Sequence, residues 1–268
     1  MTHPWMWAIL LLSSGIWAKP IVTVEGEQTE QQSHCFKGIK QSDNCSQFRV
    51  QLPQYNSAWL NQKIQHDTRQ SLGDKTRHHT QSLRQLLQAA ARHHTGISNG
   101  YVYTQQVNIT IKPQGANERW AAYTLIHDEY NKGAAHGSTV LLERVWDVQA
   151  KKPVVLTDIL INSQAQKRLF QLAYDAAMAD FVHDGDLSED EAKAQLDGEM
   201  FHFQLTHNWR PVKGGLVLVY QQYEIAPYAY GTPTLFISAE DLSDIVKPAF
   251  LAYLQHWPVT RSEIGVKD

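Results

Sequence analysis

Residues 101–148 read YVYTQQVNITIKPQGANERWAAYTLIHDEYNKGAAHGSTVLLERVWDV. Tyr101-Val102-Tyr103 and Val107-Asn108-Ile109-Thr110-Ile111 alternate in the two-residue period of an extended chain. Trp120 to Tyr130 continues the pattern, with Ala121, Tyr123, Leu125 and His127 on alternating positions. Thr139 to Val148 is rich in the branched and aromatic residues that suit a pleated, half-buried surface. Lys151-Lys152-Pro153 turns the chain into a short strand, Val154-Val155-Leu156. Parallel neighbours need a crossover of a dozen residues or more, which these short connections do not provide. The stretch therefore predicts an antiparallel meander and excludes a doubly wound fold.

Upstream, Phe48-Arg49-Val50-Gln51-Leu52-Pro53 alternates as a strand stopped by proline. Tyr55 to Leu72 has helical spacing through Trp59, Leu60, Ile64 and Leu72, and Gly73-Asp74 breaks it. Leu83, Leu86, Leu87 and Ala90 form a second helical stripe that ends at His93-His94-Thr95-Gly96. These two stripes have no apolar partner of their own, so they are expected to share one core with the strands that follow.

Downstream, Ser163 can cap a helix to about Val182, with Leu169, Leu172, Ala173, Ala176 and Phe181 inward. Ser188-Glu189-Asp190-Glu191 is a capping box for a short helix. Phe201 to Leu205 reads as a strand, Leu216 to Tyr220 as a buried central strand after Gly214-Gly215, and Thr234 to Ile237 as the last strand. Leu242 to Leu254 reads as the last helix. The predicted fold class is α+β, an antiparallel sheet with helices packed on it.

The chain has 268 residues, 43% hydrophobic and 19% charged, with a net charge of −3. That balance is globular and offers no basic face for nucleic acid. Residues 1–18 carry no formal charge, and Trp5 to Leu12 is apolar before Ser13-Ser14-Gly15. This reads as a secretory signal peptide cleaved after Ala18, with retention as an anchor as the alternative. The expected location is periplasmic or secreted, with no membrane span after cleavage. Lys19 to Gln32 is polar and reads as a flexible lead-in. Cys35 and Cys45 are an even pair in an exported chain and are expected to be disulfide-bonded, closing a loop that stabilises by about 2–3 kcal/mol.

Chemistry-bearing motifs are sparse. His78-His79 and His93-His94 are adjacent pairs, which a helix points about 100° apart rather than onto one ligand set. Asp184 to Asp190 begins like a calcium loop, but Glu189 and Gln195 stand where a glycine and a bidentate acid are needed. There is no GxSxG, SxxK…KTG or phosphate-binding loop. No cofactor and no metal are expected. Glu224 lies among Tyr220, Tyr223, Tyr228 and Tyr230. That setting could raise its pKa toward acid–base work, or it could make Glu224 a structural acceptor of tyrosine hydroxyls.

The most informative segment is Gly215-Leu216-Val217-Leu218-Val219-Tyr220-Gln221-Gln222-Tyr223-Glu224-Ile225-Ala226-Pro227-Tyr228-Ala229-Tyr230-Gly231. The string YEIAPYAYG after a GLV strand resembles the hallmark of the RsiV-like extracytoplasmic domain family. His127-Asp128-Glu129-Tyr130-Asn131-Lys132-Gly133-Ala134-Ala135-His136-Gly137 resembles that family's Y-x-x-G-G-A-H-G turn, with Ala134 at its second glycine. Val145-Trp146-Asp147-Val148 and Leu156-Thr157-Asp158-Ile159-Leu160 resemble its following strand pair. Leu52-Pro53-Gln54 with Leu60-Asn61-Gln62-Lys63-Ile64 resembles the start of the associated PdaC-type domain.

The resemblance implies a lead-in over 19–47, a PdaC-type domain over 48–150, an RsiV-like C-terminal domain over 151–260 and a tail over 261–268. It also implies a non-catalytic binding module of the bacterial cell envelope, with lysozyme or a cell-wall component as partner. A cell-wall polysaccharide hydrolase or deacetylase-associated enzyme, with Glu224 and His136 as acid and base, is the alternative. The anti-sigma and catalytic segments attached to other members are not expected here. Pro227 and Gly231 fix one tight loop, and Gly133 and Gly137 bracket His136 in another. His136, Tyr130, Tyr223, Glu224, Tyr228 and Tyr230 are the candidate binding residues, with internal bracing as their other reading. His136 is expected within side-chain reach of Tyr223, Glu224 or Tyr228.

Overall fold

The computed structural model describes residues 21–37, 44–73, 81–183 and 185–260. The segment read as a signal peptide, most of the loop between Cys35 and Cys45, His78-His79, Asp184 and the tail lie outside them. β1 (Val24–Cys35) and β2 (Cys45–Tyr55) form an antiparallel hairpin with Cys35 opposite Cys45, and the two sulfurs are bonded. The flexible lead-in expected over Lys19–Gln32 is thereby corrected, because most of it is a paired strand. Its polarity has a different cause. β1 is an outer strand flanked only by β2, nearly all of its residues are exposed, and Glu25, Glu27 and Glu30 discourage a further strand from adding there.

α1 (Ala58–Ser71) and α2 (Leu83–His93) follow, N-capped by Ser57 and Ser82. β3 (Gly96–Ser98) and β4 (Tyr101–Tyr103) make a small separate ribbon. β5 (Gln105–Ala116), β6 (Trp120–Asn131), β7 (Ser138–Asp147) and β8 (Lys152–Pro153) are the antiparallel meander. β5 pairs parallel to β2, because the two helices supply the crossover that a parallel neighbour requires. The sheet order is β1-β2-β5-β6-β7-β8.

The rest of the chain comprises α3 (Leu156–Ile159), α4 (Ser163–His183), α5 (Glu189–Leu196), β9 (Trp209–Val212), β10 (Gly215–Val219), a 3-10 turn over Tyr228–Tyr230, β11 (Thr234–Ser238) and α6 (Pro248–Gln255). A second, three-stranded sheet runs β11-β10-β9. Asn162, not Ser163, supplies the oxygen that accepts from the Ala165 amide at the start of α4. Phe201–Leu205 is not a strand. Its Phe203 amide bonds to the Leu196 carbonyl, which folds the segment back onto the end of α5. The last helix begins only at Pro248, whose fixed φ suits a first helical position. The short strand expected at Val154–Leu156 lies earlier, at Lys152–Pro153, and Leu156 already belongs to α3.

The period-two pattern of β6 serves two cores. Ala121, Tyr123 and Leu125 face Leu60, Ile64, Leu87 and Ala91 of the two early helices, together with Val50, Leu52 and Ile109. The early helices therefore share one core with the sheet, as their unpartnered stripes require. Trp120 and Ala122 face the opposite way, with Val145, into Leu169, Ala173, Leu216, Leu218 and Phe250.

A buried polar chain crosses this second interface. Arg210 Nε on β9 lies 3.1 Å from Glu143 Oε2 on β7, with both side chains almost wholly buried. Thr124 donates to the same carboxylate oxygen at 2.8 Å, Gln114 Nε2 donates to Thr124, and Trp257 Nε1 donates to the Gln114 carbonyl. Neither Nε nor Nη1 of Arg210 has an aligned hydrogen-bond partner, so its attraction to Glu143 is coulombic more than directional.

Burial is the largest influence on Glu143 and pushes its carboxyl above the usual range, while Arg210 beside it pulls the other way. Arg210→Met is expected to cost about 3–5 kcal/mol, because it leaves a buried charge unpaired. A carboxyl whose folded pKa exceeds its unfolded one stabilises the fold most below the unfolded value, and that contribution fades as pH rises through the folded value. Denaturant melts of the variant should therefore lose stability between mildly acidic and mildly basic pH more steeply than the parent. Parallel pH slopes would count against a buried Glu143 charge held by Arg210.

Candidate functional site

The exit of β10 is pinned to β7 before the candidate loop begins. β7 pairs with β6 on one side, but on its other edge β8 reaches only Trp146 and Asp147. The rest of that edge is closed by side-chain amides. Gln222 Oε1 accepts from the Thr139 amide at 3.2 Å, Gln221 Oε1 from Leu141 at 3.0 Å, and Asn208 Oδ1 from Glu143 at 2.7 Å. Gln221 Nε2 and Asn208 Nδ2 both donate back to the Leu141 carbonyl, at 2.6 and 2.9 Å. An amide carries both a donor and an acceptor, so it can replace a neighbouring strand residue. These three residues serve in place of a missing strand and satisfy an edge that would otherwise stay open.

The chain then turns through Tyr223 and Glu224 toward Pro227. Tyr223 has φ +65°, a left-handed conformation that a bulky residue seldom adopts. Glu224 braces that turn, since its Oε2 accepts from the Gln221 amide at 2.7 Å. The 3-10 turn carries Tyr228 onto the loop that precedes β7, where its ring stacks on His136 with centroids 3.9 Å apart and planes 24° apart.

Two donors converge on one carbonyl there. Tyr228 Oη donates to the Gly137 oxygen at 3.2 Å, and His136 Nδ1 donates to the same oxygen at 2.8 Å. Gly137 must be glycine, because a Cβ there would lie 2.8 Å from the Glu129 carbonyl. Gly133 has φ +88° in the same connection.

The six candidate residues separate into groups. His136, Tyr228 and Tyr223 form one aromatic cluster, with the Tyr223 and Tyr228 centroids 5.8 Å apart and Tyr223 55% exposed. Tyr130 stands near the end of β6, with its hydroxyl donating to the Ala134 carbonyl at 3.5 Å. It lines a hollow of about 250 Å³ with Thr104, Gln106 and Lys132. Tyr230 turns away from the cluster. Its hydroxyl donates to the Gly185 carbonyl and its ring packs edge-on against Phe181. Burial, then the carboxylates of Asp180, Asp186 and Glu191, holds the Tyr230 phenol above its usual value. Tyr220 is fully buried, donates to the Gln204 carbonyl and is likewise pushed up by burial. Glu224 is exposed, and among the described residues no tyrosine hydroxyl donates to it.

The His93 and His94 rings meet edge to face at 5.0 Å, and His94 also lies against Phe48. Burial is the largest influence on His94 and lowers its pKa, with His93 acting in the same direction. Among the described residues, no group of three or more histidine, cysteine or acidic side chains is placed to hold a metal ion.

The fold and the loop define an α+β chain with a two-layered second half. Residues 157–240 match the model of a family described as a protein of unknown function, DUF3298. The match contains Tyr223, Glu224, Tyr228 and Tyr230, while His136 lies outside it. The structure is similar to that of a DUF3298 family protein from Pseudomonas aeruginosa PAO1, at 21% identity and TM-score 0.61, covering 86% of this chain and 96% of that one. It is also similar to a DUF3298 family member from Bacteroides fragilis, at 16% identity and TM-score 0.65, covering 89% and 99%. No curated protein matches the chain.

The strained tyrosine gives a direct test of whether the cluster braces the fold. Tyr223→Gly removes an exposed ring and relieves a conformation costing about 1–2 kcal/mol for a residue with a Cβ. Part of that gain is offset by the extra backbone entropy of glycine in the unfolded chain. Denaturant melts should show stability unchanged, or raised by up to about 1 kcal/mol. A loss of more than about 1 kcal/mol would make Tyr223 a structural brace.

Proposed function

We propose that this chain is a non-catalytic binding module of the bacterial cell envelope, exported by its N-terminal segment with cleavage after Ala18. Its partner is a protein such as lysozyme, engaged through His136, Tyr228 and Tyr223. The observation carrying this reading is the His136–Tyr228 stack with an exposed, left-handed Tyr223 beside it. Rigid aromatics on a fixed loop lose little freedom on binding and make good interface anchors. Backbone strain at an exposed aromatic residue is a further pointer to function.

The order of the motifs from residue 48 to 247, which resembles the RsiV-like and PdaC-type pattern, also supports the reading. Among the described residues, no helix is long and apolar enough to cross a membrane. The enzymatic alternative has less support, because the Glu224 carboxylate is engaged by the Gln221 amide within its own turn.

Calorimetric titration of the mature protein with lysozyme tests the proposal. Saturable binding is expected, and Tyr228→Ala should weaken it at least tenfold, about 1.4 kcal/mol, as at an interface anchor. The thermal midpoint of that variant should fall modestly, because it loses the hydrogen bond to the Gly137 carbonyl, worth about 0.5–1.5 kcal/mol, which leaves the protein folded for the titration. Absence of binding, or equal affinity in parent and variant, would refute this assignment.

A further inference from the structure

We propose that the groove between α4, α5 and the segment 202–205 binds a neutral, N-acetylated oligosaccharide. This second site is separate from the His136–Tyr228 cluster. Phe170, in the groove, and Phe181, beneath Tyr230, lie on the same helix about 16 Å apart along its axis at 1.5 Å per residue.

The groove has a volume of about 660 Å³, in the range of small-ligand sites. Its floor is aromatic. Phe170 and Tyr174 stand one helical turn apart, with planes 25° apart and centroids 6.4 Å apart, so they present two nearly parallel ring faces. Phe203 meets both edge-on at 5.5 Å and holds them in place from below. Phe170 is 38% exposed on a helix whose inward positions are already filled by Leu169 and Ala173. An aromatic ring at such a position is not needed by the core.

The C–H face of a pyranose is apolar and flat, and it lies on aromatic rings. The hydroxyls at its edge need partners that both donate and accept. Gln166 and Gln204 line the groove and supply carboxamides of that kind, and Gln171, whose Nε2 donates to Asp175, adds an acceptor. Half-buried Leu205 adds apolar surface in the same lining, suited to the methyl of an acetamido group, with the buried Leu196 behind it.

Charge argues against an anionic ligand. Lys193 is ion-paired with Asp197, and Tyr174 Oη donates to the other carboxylate oxygen at 2.9 Å. Of the two basic side chains in the lining, Lys193 is thus paired within the groove, and His202 lies near the same Asp197 carboxylate. A phosphate or nucleotide would have to break that pair, whereas an uncharged sugar can use the carboxylate and the phenol as they stand.

Tetra-N-acetylchitotetraose is the probe, titrated into the purified mature protein and followed by calorimetry and by amide chemical-shift changes. Saturable binding is expected, with shifts concentrated on α4, α5 and residues 202–205. Phe170→Ala and Gln204→Ala both alter exposed side chains, and each should weaken binding at least fivefold without moving the thermal midpoint. Tyr228→Ala should bind the sugar like the parent, which separates this proposal from lysozyme recognition. No saturable binding, shifts centred elsewhere, or undiminished affinity in both groove variants would overturn it.

Discussion

Glu143 is the residue on which the two halves of the fold meet. Its carboxylate draws in Arg210 from the second sheet and Thr124 from the first, and its own amide bonds to Asn208. Nothing in a purely apolar interface would fix how β9 and β10 slide along β7. A buried charge pair specifies register where apolar packing alone would tolerate alternatives, which is the best-attested use of such pairs. Once Asn208 is seated, Gln221 and Gln222 reach Leu141 and Thr139 at the next positions along the same edge. The loop after them then has little choice but to arrive over the turn that carries His136.

Bracing and recognition are divided among neighbouring residues. Tyr230 and Tyr220 point inward and satisfy carbonyls. Tyr228 does both, with one edge of its hydrogen bonding spent on Gly137 and one face stacked on His136. Tyr223 lies at the outer end of the series and contacts Tyr228. A gradient from buried brace to exposed ring is what a rigid recognition surface requires, because each outer group borrows its position from the one beneath it.

Much of the scaffold is legible in the sequence because alternation is a direct imprint of two-faced burial. The spacing of Ala121, Tyr123 and Leu125 alone puts them on one face of a strand, and the unmatched stripes of α1 and α2 point to the same core. The pairing of Cys35 with Cys45 follows from their being the only two cysteines of the chain. β1 escapes such a reading because an outer strand with both faces wet has no hydrophobic period. The parallel pairing of β2 with β5 depends on long-range topology that no local window contains. The Gln221–Gln222 edge closure is also hidden, since an amide that replaces a strand looks like any polar residue after a strand. The His136–Tyr228 contact is anticipated by the resemblance of two motifs, not by their spacing. The groove is not, because Phe170 and Tyr174 fall outside the inward stripe of the helix and Phe203 reads as part of a strand that does not form.

Side-chain amides close the free edge of β7 and so dock the second half of the molecule. Native-state hydrogen exchange at the backbone amides of Thr139, Leu141 and Glu143 measures this closure residue by residue. Protection at Leu141 and Glu143 should approach that of the central β5–β6 ladder, with an opening free energy close to the global unfolding value. Thr139, nearer the loop, should be somewhat less protected. Exchange at all three as fast as at an exposed outer strand such as β1 would contradict the closure, and with it the fixed placement of Tyr228 over His136.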